Sequence, residues 1–279
     1  MSESERPSVS PLILFGSELR RLRTERGYTI DQLAEAIAFS PSLVGSVERA
    51  ARRPGRDFAE RCEETLALSG ELLRLLPLIT KEASPKWFRP WTKIEEEALT
   101  LRTWEPLLIP GLLQTERYAR AVLKGKPGVS ADELEQAVDA RLQRQAIFDK
   151  PDPPMFSAIL DEGVLHRPIG GPSVMREQLE HLLKMTTHFR VTIQIVPLTL
   201  GVTTGLLGGF IVAHMPNAQD AVYFESSANG HVTDRTEDLR AVNVRYDTIR
   251  AWAHPLHVTE DLIRETVINY DRDEQRPRN

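Results

Sequence analysis

Seven histidines are the side chains of this 279-residue chain best suited to metal or proton chemistry. His254 and His257 stand in the run HPLH, but Pro255 stiffens that segment and no third ligand is near, whereas a zinc site needs three or four. His181 and His188 share a helical face about two turns apart, a long reach for one ion. The reading is surface or interface histidines and no metal. Asp161 and Glu162 follow a β-rich run, yet adjacent residues diverge on a helix and no nucleophile motif accompanies them, so Asp161 is read as a helix cap. The glycine-rich GVTTGLLGG (201–209) lacks the Lys-Ser/Thr ending of a phosphate loop and reads as a flexible connection. GGPS (170–173) offers either an anion-binding helix start or ordinary capping by Ser173. Cys62 is the single cysteine, which excludes an internal disulfide and makes it a small buried hydrophobe. The aromatic run KWFRPW (86–91) could stack on bases, but it reads better as an anchor for a core. Nothing here makes an enzyme, and no cofactor is expected.

The stretch that does suggest a function is TIDQLAEAIAFSPSLVGSVERA (29–50). Thr29 with Gln32 forms a capping box, and Leu33, Ala34 and Ile37 give an apolar stripe at helical spacing. Ser40 is a good N-cap, and Pro41 sits at the first helical position, where its missing N–H costs nothing. Leu43, Val44 and Val47 face inward on the second helix, leaving Ser42, Gly45, Ser46 and Arg49 outward. A short helix held rigidly by its predecessor fits the major groove of DNA. Before it, Pro11 to Arg26 form a helix with Leu12, Phe15, Leu19 and Leu22 at core spacing, ended by Gly27. After it, RRPG (52–55) turns, Asp57 caps a fourth helix with Phe58, Cys62, Leu66 and Leu68, and Glu71 to Ile79 make a fifth.

From Leu12 to Leu68 this pattern resembles the XRE family, the phage-repressor-like helix-turn-helix domains. The resemblance implies that Pro41, Ser42 and Ser46 face bases and that Arg23 pairs with Glu48 to brace the first helix against the recognition helix. Thr29, Arg49, Arg52, Arg53 and Arg56 are the candidates for phosphate contacts. The family carries a glycine after its Glu-Arg pair, and Ala50 stands there instead, so the helix end is open to another geometry.

Net charge is −5, which argues against indiscriminate coating of nucleic acid, so the distribution of charge matters. Arg20, Arg21, Arg23 and Arg26 cluster on the first helix, and the arginines from Arg49 to Arg56 surround the end of the third. Such clusters can neutralise a few phosphates; the alternative is a solvated basic face. No apolar run reaches the ~18–20 residues of a membrane span, and MSESERPSVS lacks the features of a secretory signal, so a cytoplasmic, nucleoid-associated protein with no membrane contact is expected.

Past Pro85 the character changes. A helix is expected from Lys93 to Trp104, an extended run into a helix capped by Thr115, and a long helix from Ser130 through Phe148, where Ser130 and Glu133 form a second capping box. FSAIL (156–160), VTIQIV (191–196), GFIVAH (209–214) and AVYF (221–224) are β-rich runs. The first two, separated by a helix from Ser173 to about His188, can pair in parallel; the last two suit a hairpin. Helices over Thr236–Ala253 and Thr259–Tyr270 finish the region. The fold class is thus multidomain, α and α+β. A disordered start (1–10) precedes a five-helix all-α domain (11–80). A mixed domain (81–272) with a small sheet of about four or five strands follows, then a charged tail (273–279).

LTLRTWEPLLIPGLLQTERYARAVL (99–123), ILDEGVLHRPIGGPSVMREQLEHLL (159–183) and VTIQIVPLTLGVTTGLLGGFIV (191–212) resemble the DUF5753 domain that follows XRE-type domains in actinobacteria. That resemblance implies an antitoxin-like transcriptional regulator, tied in some cases to development and antibiotic production. Implied partners are double-stranded DNA bearing an inverted repeat, a second copy of the chain, a small protein encoded by a neighbouring gene and, as a possibility, a small-molecule ligand. The competing reading is an interaction protein, an antitoxin or scaffold, whose helix-turn-helix no longer binds DNA. Ser42 and Ser46 read bases weakly, and Gly45 softens its helix by up to ~1 kcal/mol.

Overall fold

Polar side chains that satisfy the free N–H groups of a first turn decide where the early helices begin. The computed structural model describes residues 10–83, 88–201, 204–226 and 229–275. The chain divides between Ser84 and Pro85 into two compact units.

In the first unit, α1 (Pro11–Glu25) starts on Ser10, whose hydroxyl accepts from the Leu12 N–H. α2 (Ile30–Ala36) carries the complete Thr29–Gln32 capping box, and α3 (Pro41–Glu48) starts on Ser40, which accepts from Leu43. α4 (Arg56–Thr65) differs from expectation. Gly55 is its N-cap without a side-chain bond, and Asp57 instead accepts from Arg61 at 2.9 Å. The fifth helix also starts later than its sequence suggests, as α5 (Leu76–Ala83). The cause is Glu63, a buried carboxylate that accepts from the N–H groups of Gly70, Leu72 and Leu73 and holds that stretch in turns. Phe15, Leu19, Leu33, Val44, Val47, Phe58, Cys62 and Leu66 share one core. Burial pushes the Cys62 thiol up to about 12, so it stays unreactive as a buried hydrophobe should.

Four helices of this unit end the same way. At α1 the Tyr28 N–H bonds the Arg23 carbonyl and the Gly27 N–H that of Thr24, with Gly27 at φ +76°. This paired capping motif recurs after α2, α3 and α4, but there Ala38, Ala50 and Ala67 hold the left-handed position, at φ +57°, +55° and +48°. Ala50 therefore takes the geometry that a glycine would adopt, and α3 stops at the place the resemblance implies.

The second unit runs α6 (Arg89–Glu97), β1 (Thr100–Glu105), α7 (Glu116–Lys124), α8 (Ala131–Arg144), β2 (Met155–Asp161), α9 (Gly163–His166), α10 (Pro172–Thr186), β3 (Val191–Val196), β4 (Phe210–His214), β5 (Ala221–Phe224), β6 (His231–Thr233), α11 (Thr236–Arg250) and α12 (Leu256–Gln275). Its sheet has six strands in the order β3-β2-β1-β4-β5-β6. β1, β2 and β3 run parallel, and β4, β5 and β6 continue antiparallel. The four anticipated strands are present; β1 and β6 raise the count above four or five. β1 replaces the second half of the helix expected over Lys93–Trp104. Leu101 and Trp104 fit a helical stripe, but pairing with β2 on one side and β4 on the other makes Thr100–Glu105 a central strand.

The sheet is covered on both faces. Trp104, Ile159, Phe210 and Val222 form a cluster with Val242, Tyr246 and Ile249 of α11. Leu101, Phe156, Leu160, Ile193 and Ile195 join the larger core, with Leu179 and Leu182 of α10 and Ile263 of α12. Trp91 and Phe88 belong to that core, which is the anchoring role read from KWFRPW; Trp87 lies outside the described residues. α8 stops at Arg144 and tightens into a 3₁₀ turn (Gln145–Asp149) rather than continuing to Phe148. α12 begins at Leu256, not Thr259, and runs on to Gln275, so the stretch read as a tail starts helical. The stretch 201–209 is pinned rather than free at Gly205. Its carbonyl accepts from the Trp104 indole, and a Cβ there would stand 2.5 Å from that ring. Residues 1–9 and 276–279, read as polar ends, lie outside the described residues.

Candidate nucleic-acid interface

The recognition helix α3 is seated on α1 by a close backbone approach. Gly16 is buried in α1, and a Cβ built on it would lie 2.6 Å from the Val47 carbonyl oxygen and 2.7 Å from that of Glu48. Beside this contact Arg23 Nε donates to Glu48 Oε1 at 2.5 Å, Nη2 to Oε2 at 3.1 Å, and Nη1 to the Tyr28 carbonyl at 2.6 Å. The two side chains are 11% and 5% exposed, so this is a buried bidentate pair, and the Glu48 hydrogen bond raises the Arg23 pKa. Sequence reading missed Gly16; the available signal was a glycine inside an otherwise regular helical pattern.

Of the residues assigned to bases, Pro41 and Ser42 are exposed and Ser46 is half-buried. All three lie on α3, whose opposite face carries Val44 and Val47 into the core. Gly45, expected to look outward, is buried. The Arg49 guanidinium folds back over it, and a Cβ at Gly45 would meet Arg49 Nη1 at 3.0 Å.

The residues assigned to phosphates separate. Thr29, Arg49 and Arg52 are exposed, with the Thr29 hydroxyl engaged in the capping box of α2. Arg53 donates from Nη1 to the Ile79 carbonyl at 2.8 Å, which ties the turn before α4 to α5. Arg56 pairs with Glu60 one turn along α4 at 2.7 Å. Arg21, Arg23 and Arg26 of the first-helix cluster are also engaged within the unit. Arg21 forks between Glu18 and Glu25, and Arg26 donates to the Ala67 carbonyl. Much of the apparent basic face is thus tied up within the unit, and at the third-helix end Arg49 and Arg52 are its exposed part.

The other sequence candidates resolve locally. Asp161 accepts from the Gly163 N–H across a two-residue turn, but Glu162 is the N-cap of α9, so Asp161 does not cap the helix as expected. Ser173 does not cap α10. Gly171 occupies that position, and the Ser173 hydroxyl accepts from Arg117, which also pairs with Glu177. His188 accepts from the Arg190 N–H and packs on Phe148 and Phe189, while His181, half-buried, has its pKa lowered by desolvation. The His254 carbonyl accepts from Gln194, and its N–H bonds Ile195.

Among the described residues no helix is long and apolar enough to cross a membrane. Residues 14–76 match the family described as a helix-turn-helix domain, and residues 88–265 match a domain of unknown function, DUF5753. No curated protein matches the chain, and no solved structure matches it. The helix-turn-helix unit suggests a DNA-binding regulator, and with the match spanning most of its length the chain belongs to the DUF5753 family.

Proposed function

We propose that this protein is a sequence-specific DNA-binding transcriptional regulator of the antitoxin-like kind, acting as a homodimer on an inverted repeat in an actinobacterial cytoplasm and not as an enzyme. The observation that carries the reading is the exposed edge of α3, Pro41 and Ser42 with Ser46, beside Arg49 and Arg52, on a helix clamped to α1 at Gly16 and by Arg23–Glu48. One such helix touches a few base pairs, so two copies are needed for useful specificity.

Fluorescence anisotropy with fragments from the gene's own upstream region tests it across a salt series. A fragment with a dyad is bound as a dimer, and Arg49→Ala and Arg52→Ala each make the salt slope shallower by about one unit. Binding that is equally weak on every fragment would favour the interaction-protein reading.

The second unit is proposed to receive the signal, a ligand or a small protein encoded by a neighbouring gene. Leu198, Leu200, Leu206 and Leu207 are exposed in one stretch after β3, which supports protein contact. A pull-down of the neighbouring product with the full chain, repeated with Leu207→Asp, checks that part.

A further inference from the structure

The carboxyl ends of the parallel strands carry exposed apolar side chains where the chain leaves the sheet. Leu107 follows β1, Leu198 and Leu200 follow β3, and Leu206 and Leu207 lie in the return toward β4. These five are between 45% and 79% exposed, whereas Leu101 of β1 and Leu160 of β2 are fully buried. Apolar surface gathered in this way marks a place where something else docks.

Printed on the backbone around them is what brings the leucines together. Leu206 and Leu207 are carried over the end of β1, because the Gly205 carbonyl accepts from the Trp104 indole at 2.7 Å. On their other side, a Cβ on Gly209 would lie 3.0 Å from the Trp104 carbonyl oxygen and 3.4 Å from Pro106 Cδ, one residue before Leu107. Leu198 opens a 3₁₀ turn over the end of β2. Its N–H donates to Glu162 Oε2 at 2.8 Å, and its Cδ2 would stand 3.6 Å from a Cβ on Gly163. β2 lies between β3 and β1, so the leucines form a strip across three neighbouring strands. Anchored backbone of this kind is ordered before anything binds, which lowers the entropy lost on docking.

The rim of the strip is acidic. Asp161 and Glu162 stand where β2 passes into α9, and exposed Glu225, whose N–H bonds the Gly209 carbonyl, stands at the other end. The segments 106–115 and 197–209 contain no Lys or Arg, and Arg167 is the one such base in 161–167. Phosphates of nucleic acid or of an anionic membrane are repelled by such a rim. A second copy docking this patch on itself would set these carboxylates against their equivalents. The complement of the strip is apolar in the middle and basic at the sides.

We propose that this strip seats an amphipathic helix of a partner protein, with leucine-type side chains on the strip and lysines or arginines facing Glu162 and Glu225. The proposal rests on the second unit being the receiving unit, and it names the surface that receives and the shape and charge of its occupant. Neighbouring strands lie ~4.8 Å apart, so a strip from β1 to β3 is roughly 10 Å across. A helix rises about 1.5 Å per residue, so apolar residues at i, i+3 or i+4, and i+7 cover about the same length. Two turns of such a helix fill the strip and leave both flanks to the acidic rim.

The test uses the full chain and two labelled synthetic helical peptides that share one leucine stripe, the first with lysine flanks and the second with glutamate flanks. Fluorescence anisotropy reads binding at low and high salt. The lysine peptide is expected to bind, more weakly in high salt, and the glutamate peptide to stay free. Leu206→Ser and Leu207→Ser should each weaken the lysine peptide about tenfold or more, as the loss of a buried leucine contact does. Glu225→Lys should weaken it several-fold and admit the glutamate peptide. Phe189→Ser removes a side chain 75% exposed before the amino end of β3 and should change nothing. Should a leucine variant fail to fold, Glu225→Lys, at an exposed position, carries the test. Equal binding of the two peptides, unchanged affinity in folded leucine variants, or an equal loss in Phe189→Ser overturns the proposal. So does a dimer that dissociates in Leu207→Ser in sedimentation, since a second copy would then hold the strip. Pull-down of the neighbouring product separates the two readings. Equal capture by the parent and by Leu207→Asp keeps the receiving unit and overturns the seat, whereas lysine-peptide binding without any capture supports the seat and removes that product as its occupant.

Discussion

Arg23 in the first unit and Arg141 in the second are both arginines drawn into a folded interior. Arg23 meets a carboxylate in a two-pronged pair and a backbone carbonyl besides. Arg141 meets one neutral amide. The contrast extends to the buried acids. Glu63 receives three N–H groups, whereas Glu105 receives one hydroxyl. Charges of the first kind position elements; Arg23–Glu48 and Glu63 hold α3 and the turn after α4 in place. Groups of the second kind meet only one neutral side chain each, and an interior retains them at a cost. The second unit contains both kinds side by side, since Arg144–Glu95 is as complete as Arg23–Glu48. Completeness of pairing, rather than burial, is what separates the two kinds.

The strongest way to break that comparison is Glu48→Ala. Removing one partner of a buried pair costs ~3–5 kcal/mol, so the first unit should melt far earlier in calorimetry of the full chain and DNA affinity should fall with it. A loss under ~1 kcal/mol would equate the pair with a surface bridge. Gly16→Ala comes next. The added methyl must displace two carbonyl oxygens of α3, and overpacking of this kind costs ~1–3 kcal/mol, more than the ~1 kcal/mol that alanine gains over glycine in a helix. A more stable Gly16→Ala protein would show that the helices can separate freely.

Glu105→Gln sharpens the other side through pH. A carboxyl raised in the folded state contributes stability that is complete below the ordinary carboxylate range and is lost as pH rises through about 8. The glutamine protein lacks that slope, so its melting temperature relative to the parent should climb between pH 5 and pH 9, by ~2–4 °C for each kcal/mol. A constant difference across that range contradicts a protonated Glu105. The smallest effects belong to Ala38→Gly, Ala50→Gly and Ala67→Gly. A left-handed alanine costs ~1–2 kcal/mol, and glycine returns ~0.4–1 kcal/mol through its freer unfolded chain, so each should stabilise by up to ~1 kcal/mol in denaturant titrations. A destabilised Ala50→Gly would show that its methyl group makes a contact worth more than the strain.

Helix starts were legible where the signal is local. Thr29 with Gln32, Ser40 with Pro41, Thr115, and Ser130 with Glu133 each do what their spacing implies, because donor and acceptor lie within one turn. Legibility failed where a distant group competes. Ser173 is drawn to Arg117 and Arg53 to the Ile79 carbonyl, and neither partner follows from a local motif; Asp57 is the local exception, taken by Arg61 one turn along its own helix. Thr100–Glu105 is the clearest case, since its helical spacing is overruled by two strands far along the chain. In the candidate interface, the exposed edge at Pro41 and Ser42 was readable, while the burial of Gly45 under its own neighbour Arg49 depends on how that long side chain folds back.

The sequence by itself determined the helix-turn-helix, the change of character past Pro85 and four of the six strands, because periodicity and capping are properties of neighbouring residues. Tertiary structure alone decided that Gly16 is a contact, that alanines end three helices in the left-handed conformation, and that Arg141 and Glu105 each meet a single neutral side chain. Those outcomes depend on which surfaces meet, and a charge left unanswered becomes visible only when every group able to answer it has been placed.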